Sequence, residues 1–114
     1  MPYRAFAKAR ASDQLAMSQA VFDEVSDVLY RAGLARFIDP ELRDDMLDQL
    51  SSGTAWFEPN VVVSDCRDPK DNKYLELAVT AAAAFVVSSD EDLLTLNPWQ
   101  GIFILRPRAY VALT

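Results

Sequence analysis

The stretch from Cys66 to Leu94, CRDPKDNKYLELAVTAAAAFVVSSDEDLL, constrains the fold more than any other part of the chain. It reads as an acidic turn, a short helix, a buried strand and a second acidic turn. Asp68 and Asp71 stand just before and at the start of the helix. Leu75, Ala78 and Val79 give that helix an apolar side, and Ala81 to Ala84 are expected to continue it as a packed end. Phe85-Val86-Val87 is a short apolar run of strand type, and Ser88-Ser89-Asp90-Glu91-Asp92 follows at once. In a parallel sheet, ligands gather at the C-terminal edge of the strands. Asp90 is expected at such an edge, and Asp71 meets it there only if another strand delivers its turn to the same place. Converging carboxylates repel one another, and a shared proton or a hard divalent cation relieves them. Taken singly, each acid has a plainer reading: Asp71 caps a helix and Asp90 ends a strand.

The flanking sequence supplies the rest of an alternating pattern. Pro2 to about Ala11 reads as a short helix, and Gln14 to Met17 as a short strand. Ser18 is a good N-cap for a helix running to about Ala32, with Gly33 as its stop. Val21, Val25, Val28 and Ala32 form the apolar stripe of that helix. Glu24 lies on the flank of the stripe and is the acid that can look inward; Asp23 points away from it. Asp39-Pro40-Glu41 opens a further helix, with Leu42, Met46 and Leu50 expected on its buried side and Ser51-Ser52-Gly53 breaking it. Thr54 to Glu58 and Val61 to Val63 read as strands, and Ile102 to Leu105 as the last one. A terminal helix starts at Pro107. Helices alternating with short apolar strands give an α/β fold with a mainly parallel sheet, in one domain spanning residues 1–114.

Composition narrows the chemistry. The chain has no histidine and one cysteine, so histidine general-base catalysis and a zinc site of the usual composition are both excluded. Any metal is therefore held by oxygen, which favours Mg2+ or Mn2+. A net charge of -6 argues against coating nucleic acid by bulk electrostatics but is compatible with an acidic nuclease site. No apolar run approaches the roughly 18 residues of a membrane helix, so no membrane partner is expected. The start lacks the apolar core of a signal peptide and Cys66 cannot form an internal disulfide, which together point to the cytoplasm.

The run C-R-D-P-K-D-N-K-Y-L-E-L-A, the apolar strand, S-S-D-E-D-L-L and the final I-F-I-L-R-P-R resemble the C-terminal half of PIN-domain proteins, most closely the toxin components of toxin–antitoxin pairs. Upstream, L-A-M-S-Q-A-V-F-D-E-V-S-D-V-L resembles that family's strand, serine cap and helix with an inward acid. The resemblance implies a three-layer α/β/α fold in which acids at one sheet edge bind magnesium or manganese and activate water to cut RNA, leaving a 3′-hydroxyl and a 5′-phosphate. Carried over by position, Glu24, Asp71 and Asp90 are the catalytic and metal-binding acids, with Asp92 as an accessory ligand. Asp68, which precedes proline, is expected mainly to shape the turn. Ser88 and Ser89 stand where a hydroxyl can orient a carboxylate or a water. Arg67, Lys70 and Lys73 lie beside this site as candidates for phosphate contact, although a solvated surface explains each one alone.

One departure qualifies this reading. The family begins with an apolar strand ending in a metal-binding aspartate, and no such segment precedes the first helix here. A start further upstream, a natural remnant that rearranges or pairs with a second copy, and a repositioned Gln14 to Met17 all account for it, and all favour a homodimer. The expected activity is a ribonuclease, weak or silent in this chain by itself, with an RNA substrate and an antitoxin as possible partners. The alternative is a non-catalytic PIN-like module that keeps the fold and binds a partner.

Overall fold

The computed structural model describes residues 3–31 and 39–113. In chain order the elements are α1 (Tyr3–Ser12), β1 (Ala16–Met17), α2 (Gln19–Tyr30), α3 (Pro40–Ser52), β2 (Ala55–Trp56), a 3-10 turn (Pro69–Asp71), α4 (Asn72–Thr80), β3 (Phe85–Val87), α5 (Glu91–Leu94), β4 (Phe103–Leu105) and α6 (Pro107–Ala112). Helices alternate with short parallel strands, so the fold is α/β, as the periodicity predicts. None of the described helices is long and apolar enough to cross a membrane.

Local chemistry accounts for the helix boundaries. The Ser18 hydroxyl accepts from the Val21 N–H at 3.3 Å, and the Asp39 carboxylate accepts from the Glu41 N–H at 2.8 Å, with Pro40 in the first turn. Helix α2 ends at Tyr30; the expected continuation to Ala32 and the stop at Gly33 lie outside the described residues. Helix α4 ends at Thr80 rather than running through the alanines. The Ala83 N–H donates to the Ala78 carbonyl at 2.9 Å, and the Ala82 N–H donates to the Val79 carbonyl at 3.1 Å. This is a Schellman cap, and it places Ala82 at φ 53°, in the left-handed region that usually takes glycine.

The strands form two separate parallel pairs rather than one sheet. Ala16 and Met17 pair with Ala55 and Trp56; Phe85, Val86 and Val87 pair with Phe103, Ile104 and Leu105. Val61 to Val63, expected as a strand, has no strand partner among the described residues. Its Val63 N–H instead donates to the Glu76 carboxylate at 3.0 Å, and Val62 is 93% exposed. Leu42 is likewise 46% exposed rather than buried, leaving Met46 and Leu50 as the apolar contacts of α3.

Three apolar clusters divide the interior. One gathers Cys66, Leu75, Ala78, Leu93, Trp99, Ile102 and Ile104 around α4 and the β3–β4 pair. A second joins Met17, Val21, Leu50 and Leu77 around the β1–β2 pair. The third packs Ala5 and Ala9 of α1 against Tyr110 of α6. Tyr74 packs against both of the first two, and Leu15 against the second and third.

Candidate active site

Asp71 is the centre of the site. The turn before α4 fixes it: the Asp68 carboxylate accepts from the Lys70 N–H at 3.1 Å, and the Asp71 N–H donates to the Asp68 carbonyl at 3.0 Å. Next to it, buried Asn72 accepts from the Cys66 N–H at 2.9 Å and ties the turn to the preceding loop. Asp71 is only 8% exposed, and its Oδ2 is buried with no hydrogen-bond partner among the described residues. A buried carboxylate oxygen without a donor is costly, because it has lost water and gained nothing in exchange.

The second acidic turn comes to the same place. The Ser88 hydroxyl accepts from the Asp90 N–H at 3.0 Å, and Asp90 caps α5 by accepting from the Asp92 N–H at 2.8 Å. Asp68, Asp71 and Asp92 each present a carboxylate oxygen, and these oxygens lie within 4.8 Å of one another. Burial pushes the Asp71 carboxyl up to about 6; the adjoining Asp90 carboxyl and the like charges of Asp68 and Glu24 add to the rise.

Glu24 is held differently. Its Oε1 accepts from Lys73 Nζ at 2.8 Å and its Oε2 accepts from the Tyr74 hydroxyl. Burial acts to raise its pKa, but these two donors, with the charges of Lys73 and Lys70, outweigh that and hold the carboxyl below its ordinary range. Burial, and then the same contact with Glu24, drives the Tyr74 phenol upward. Glu24 is near enough to raise Asp71, yet it is not one of the three acids whose oxygens converge.

Of the acids singled out from the sequence, Asp71 and Asp92 thus converge directly, Asp90 adjoins them through the α5 cap, and Glu24 stands on the α2–α4 interface, paired to Lys73. Asp68 shapes the turn and also enters the cluster. Arg67 and Lys70 are exposed, while Lys73 is half-buried against Glu24. Two residues that the sequence reading passed over matter here: Tyr74, the second partner of Glu24, and Asn72, the brace of the acidic turn. Tyr74 carried one usable signal, since it sits three residues after Asp71 and so shares its side of the helix.

Oxygen donors alone, one of them buried and unsatisfied, fit a hard divalent cation, for which charge and oxygen ligation are the main requirements. They do not fit a soft-metal site, since the only thiol, Cys66, is buried and burial pushes it up. No curated protein and no solved structure matches this chain. The family model described as the PIN domain matches residues 4–92, which takes in α1 through both acidic turns. The chain belongs to the PIN-domain family.

Proposed function

We propose that this protein is a magnesium- or manganese-dependent ribonuclease, acting as the toxin component of a toxin–antitoxin pair. The observation that carries the reading is the Asp71 carboxylate: buried, missing a donor on Oδ2, and facing Asp68 and Asp92. Asp71, Asp68 and Asp92 would hold the ion, with Asp90 beside them. An ion held by them would supply polarisation of a phosphate and a lowered pKa for the attacking water. The chain's own residues do the rest. Asp71 is fixed by the 3-10 turn, Asp90 and Ser88 set the angle of the second acidic turn, and exposed Arg67 and Lys70 supply positive charge for the RNA phosphates.

Glu24 enters this reading as an acid that Lys73 and Tyr74 position at the wall of the site. With both of its oxygens engaged, fewer carboxylates remain to grip the ion, so metal affinity and turnover are expected to be low. That same engagement favours the second reading, a PIN-like module without catalysis that binds a protein partner.

A labelled single-stranded RNA incubated with Mn2+ separates the two. Under the first reading, cleavage yields 3′-hydroxyl and 5′-phosphate ends, requires the metal, and is abolished in Asp71→Asn. An absence of both cleavage and a manganese-induced rise in melting temperature refutes the nuclease and leaves the module.

A further inference from the structure

We propose that Lys73 and Tyr74 are positioning residues that withhold Glu24 from the metal, and that an RNA phosphate releases it by taking Lys73 in exchange. This latch rests on the metal-dependent ribonuclease reading and keeps its site from closing until RNA arrives. Glu24 Oε1 accepts from Lys73 Nζ at 2.8 Å, and Oε2 accepts from the Tyr74 hydroxyl. A hydrogen bond that orients a metal ligand ordinarily leaves the ligating oxygen open. Here both oxygens are engaged, and Glu24 stands outside the set of Asp68, Asp71 and Asp92 whose oxygens converge.

The withheld acid is nonetheless close to the cluster. Asp71 immediately precedes α4, and Lys73 and Tyr74 lie in the first turn of that helix, two and three residues further on. Residues three apart on a helix are neighbours, with about 5–6 Å between their β-carbons. Glu24 comes from α2, which packs on α4, and its charge is felt at Asp71. A change of side-chain rotamer, rather than a movement of either helix, separates the latched carboxylate from the released one.

The two arms differ in what opens them. The Tyr74 ring packs against two apolar clusters, so its hydroxyl is a fixed post. Lys73 is carried on a flexible four-carbon stem, and its pair with Glu24 reaches solvent, the two side chains being 25% and 28% exposed. An anion arriving from solvent therefore meets Lys73 rather than Tyr74. Arg67, Lys70 and Lys73 recur at every third position through the acidic turn and into α4, and the first two are exposed. A phosphodiester backbone drawn to Arg67 and Lys70 meets Lys73 next. Lys73 then exchanges a carboxylate for a phosphate and keeps a charge-assisted hydrogen bond in either state, so the exchange is close to even. Glu24, once released, adds a further carboxylate to those that grip the ion.

A permanent structural pair is the competing account, and the two make opposite demands on the metal. If Tyr74 only braces the contact of α2 with α4, loss of its hydroxyl leaves ion binding unchanged or weakens it. If Tyr74 withholds Glu24, loss of the hydroxyl strengthens ion binding, and does so only while residue 24 is a carboxylate.

Titration calorimetry of the whole chain with Mn2+ decides between them. Tyr74→Phe is expected to bind Mn2+ about tenfold tighter than wild type, the scale on which partners of metal ligands act. Glu24→Gln is expected to bind nearly as wild type does, and adding Tyr74→Phe to Glu24→Gln to change nothing further. Unchanged affinity in Tyr74→Phe, a gain that persists in the double variant, or a loss in Glu24→Gln as large as that gain overturns the latch and leaves the metal site standing. Absence of Mn2+ binding in every one of these proteins overturns the metal site and the latch with it. The exchange at Lys73 is read separately by NMR in EDTA, with a short oligouridylate as the probe. The RNA is expected to shift the signals of the Lys73 amine and the Glu24 carboxyl, and spectra in which both stay in place overturn the release by phosphate.

Discussion

Replacing Asp71 by asparagine removes the charge that defines the site while keeping its shape, and the structure sets the size of the effect. The carboxyl is held at about 6, against an ordinary 3.8, first by burial and then by Asp90, Asp68 and Glu24. Two pKa units correspond to about 3 kcal/mol by which the ionised form disfavours the folded state. The sign follows from proton uptake. Between about pH 4 and pH 6 the folded state holds a proton that the unfolded state has released, so the wild type loses stability as pH rises through this window. Asparagine carries no charge and escapes that loss. Part of the penalty belongs to Asp90, whose carboxyl shares the repulsion, and the new amide introduces donors of its own. A net gain of about 1–2 kcal/mol at pH 7.5 is therefore expected, or roughly 4–8 °C in melting temperature for a chain of this size. Thermal melts in EDTA at pH 4 and pH 7.5 measure it: the variant melts higher at pH 7.5, and the difference closes at pH 4. Adding Mn2+ reverses the order, because an ion at about 100 times its dissociation constant adds about 2.7 kcal/mol to the wild type alone. A variant that melts below wild type in EDTA at pH 7.5, or a gap that ignores pH, refutes the account of Asp71 as a strained ligand.

Three smaller perturbations probe the supporting structure. Tyr74→Phe removes one of the two donors to Glu24 and is expected to cost about 1–2 kcal/mol in denaturant melts; the Glu24 carboxyl should rise in an NMR titration, and an unmoved titration sinks the pairing. Ala82→Gly relieves a left-handed alanine at the end of α4 and should stabilise the fold by about 1 kcal/mol, whereas any loss means that the residue is not in that conformation. Cys66, buried in the cluster around α4 with its thiol pushed up by burial, should react with a thiol reagent only as fast as the protein opens; rapid labelling of the native form contradicts that placement.

What the sequence made legible is what local chemistry dictates. Ser18 and Asp39 stand where capping side chains belong, and both cap. Phe85 to Val87 is apolar, short and followed by a serine and acid turn, and it is a strand, although Phe85 and Val87 are exposed rather than buried. Val61 to Val63 shows the limit of the same signal: an apolar triplet becomes a strand only where a neighbour lies alongside it, and here the Val63 N–H finds a glutamate side chain instead. The end of α4 shows another. Alanine has high helix propensity, so the run from Ala81 to Ala84 reads as helix, but a Schellman cap turns the chain after Thr80 and leads it into β3. At the site, the acids are visible as residue types at particular spacings. Which of them converge is a matter of tertiary geometry. The pairing of Glu24 with Lys73 and Tyr74 spans about fifty residues and two helices, and no local pattern encodes it.

The acidic centre bears on the stability of the whole chain. An ordinary domain has about 5–15 kcal/mol in hand. Burial and the like charges around Asp71 raise its carboxyl to about 6, so above that pH ionisation of the acidic turns, a cost shared between Asp71 and Asp90, draws on that reserve. A cation held at the acidic turns would offset this cost and, by binding the folded chain and not the unfolded one, would raise the fraction of folded molecules. At pH 5 Asp71 still carries its proton and must lose it before it can ligate an ion. The rise in melting temperature with Mn2+ should therefore be larger at pH 7.5 than at pH 5. An equal rise at the two pH values means that the ion binds elsewhere than at Asp71.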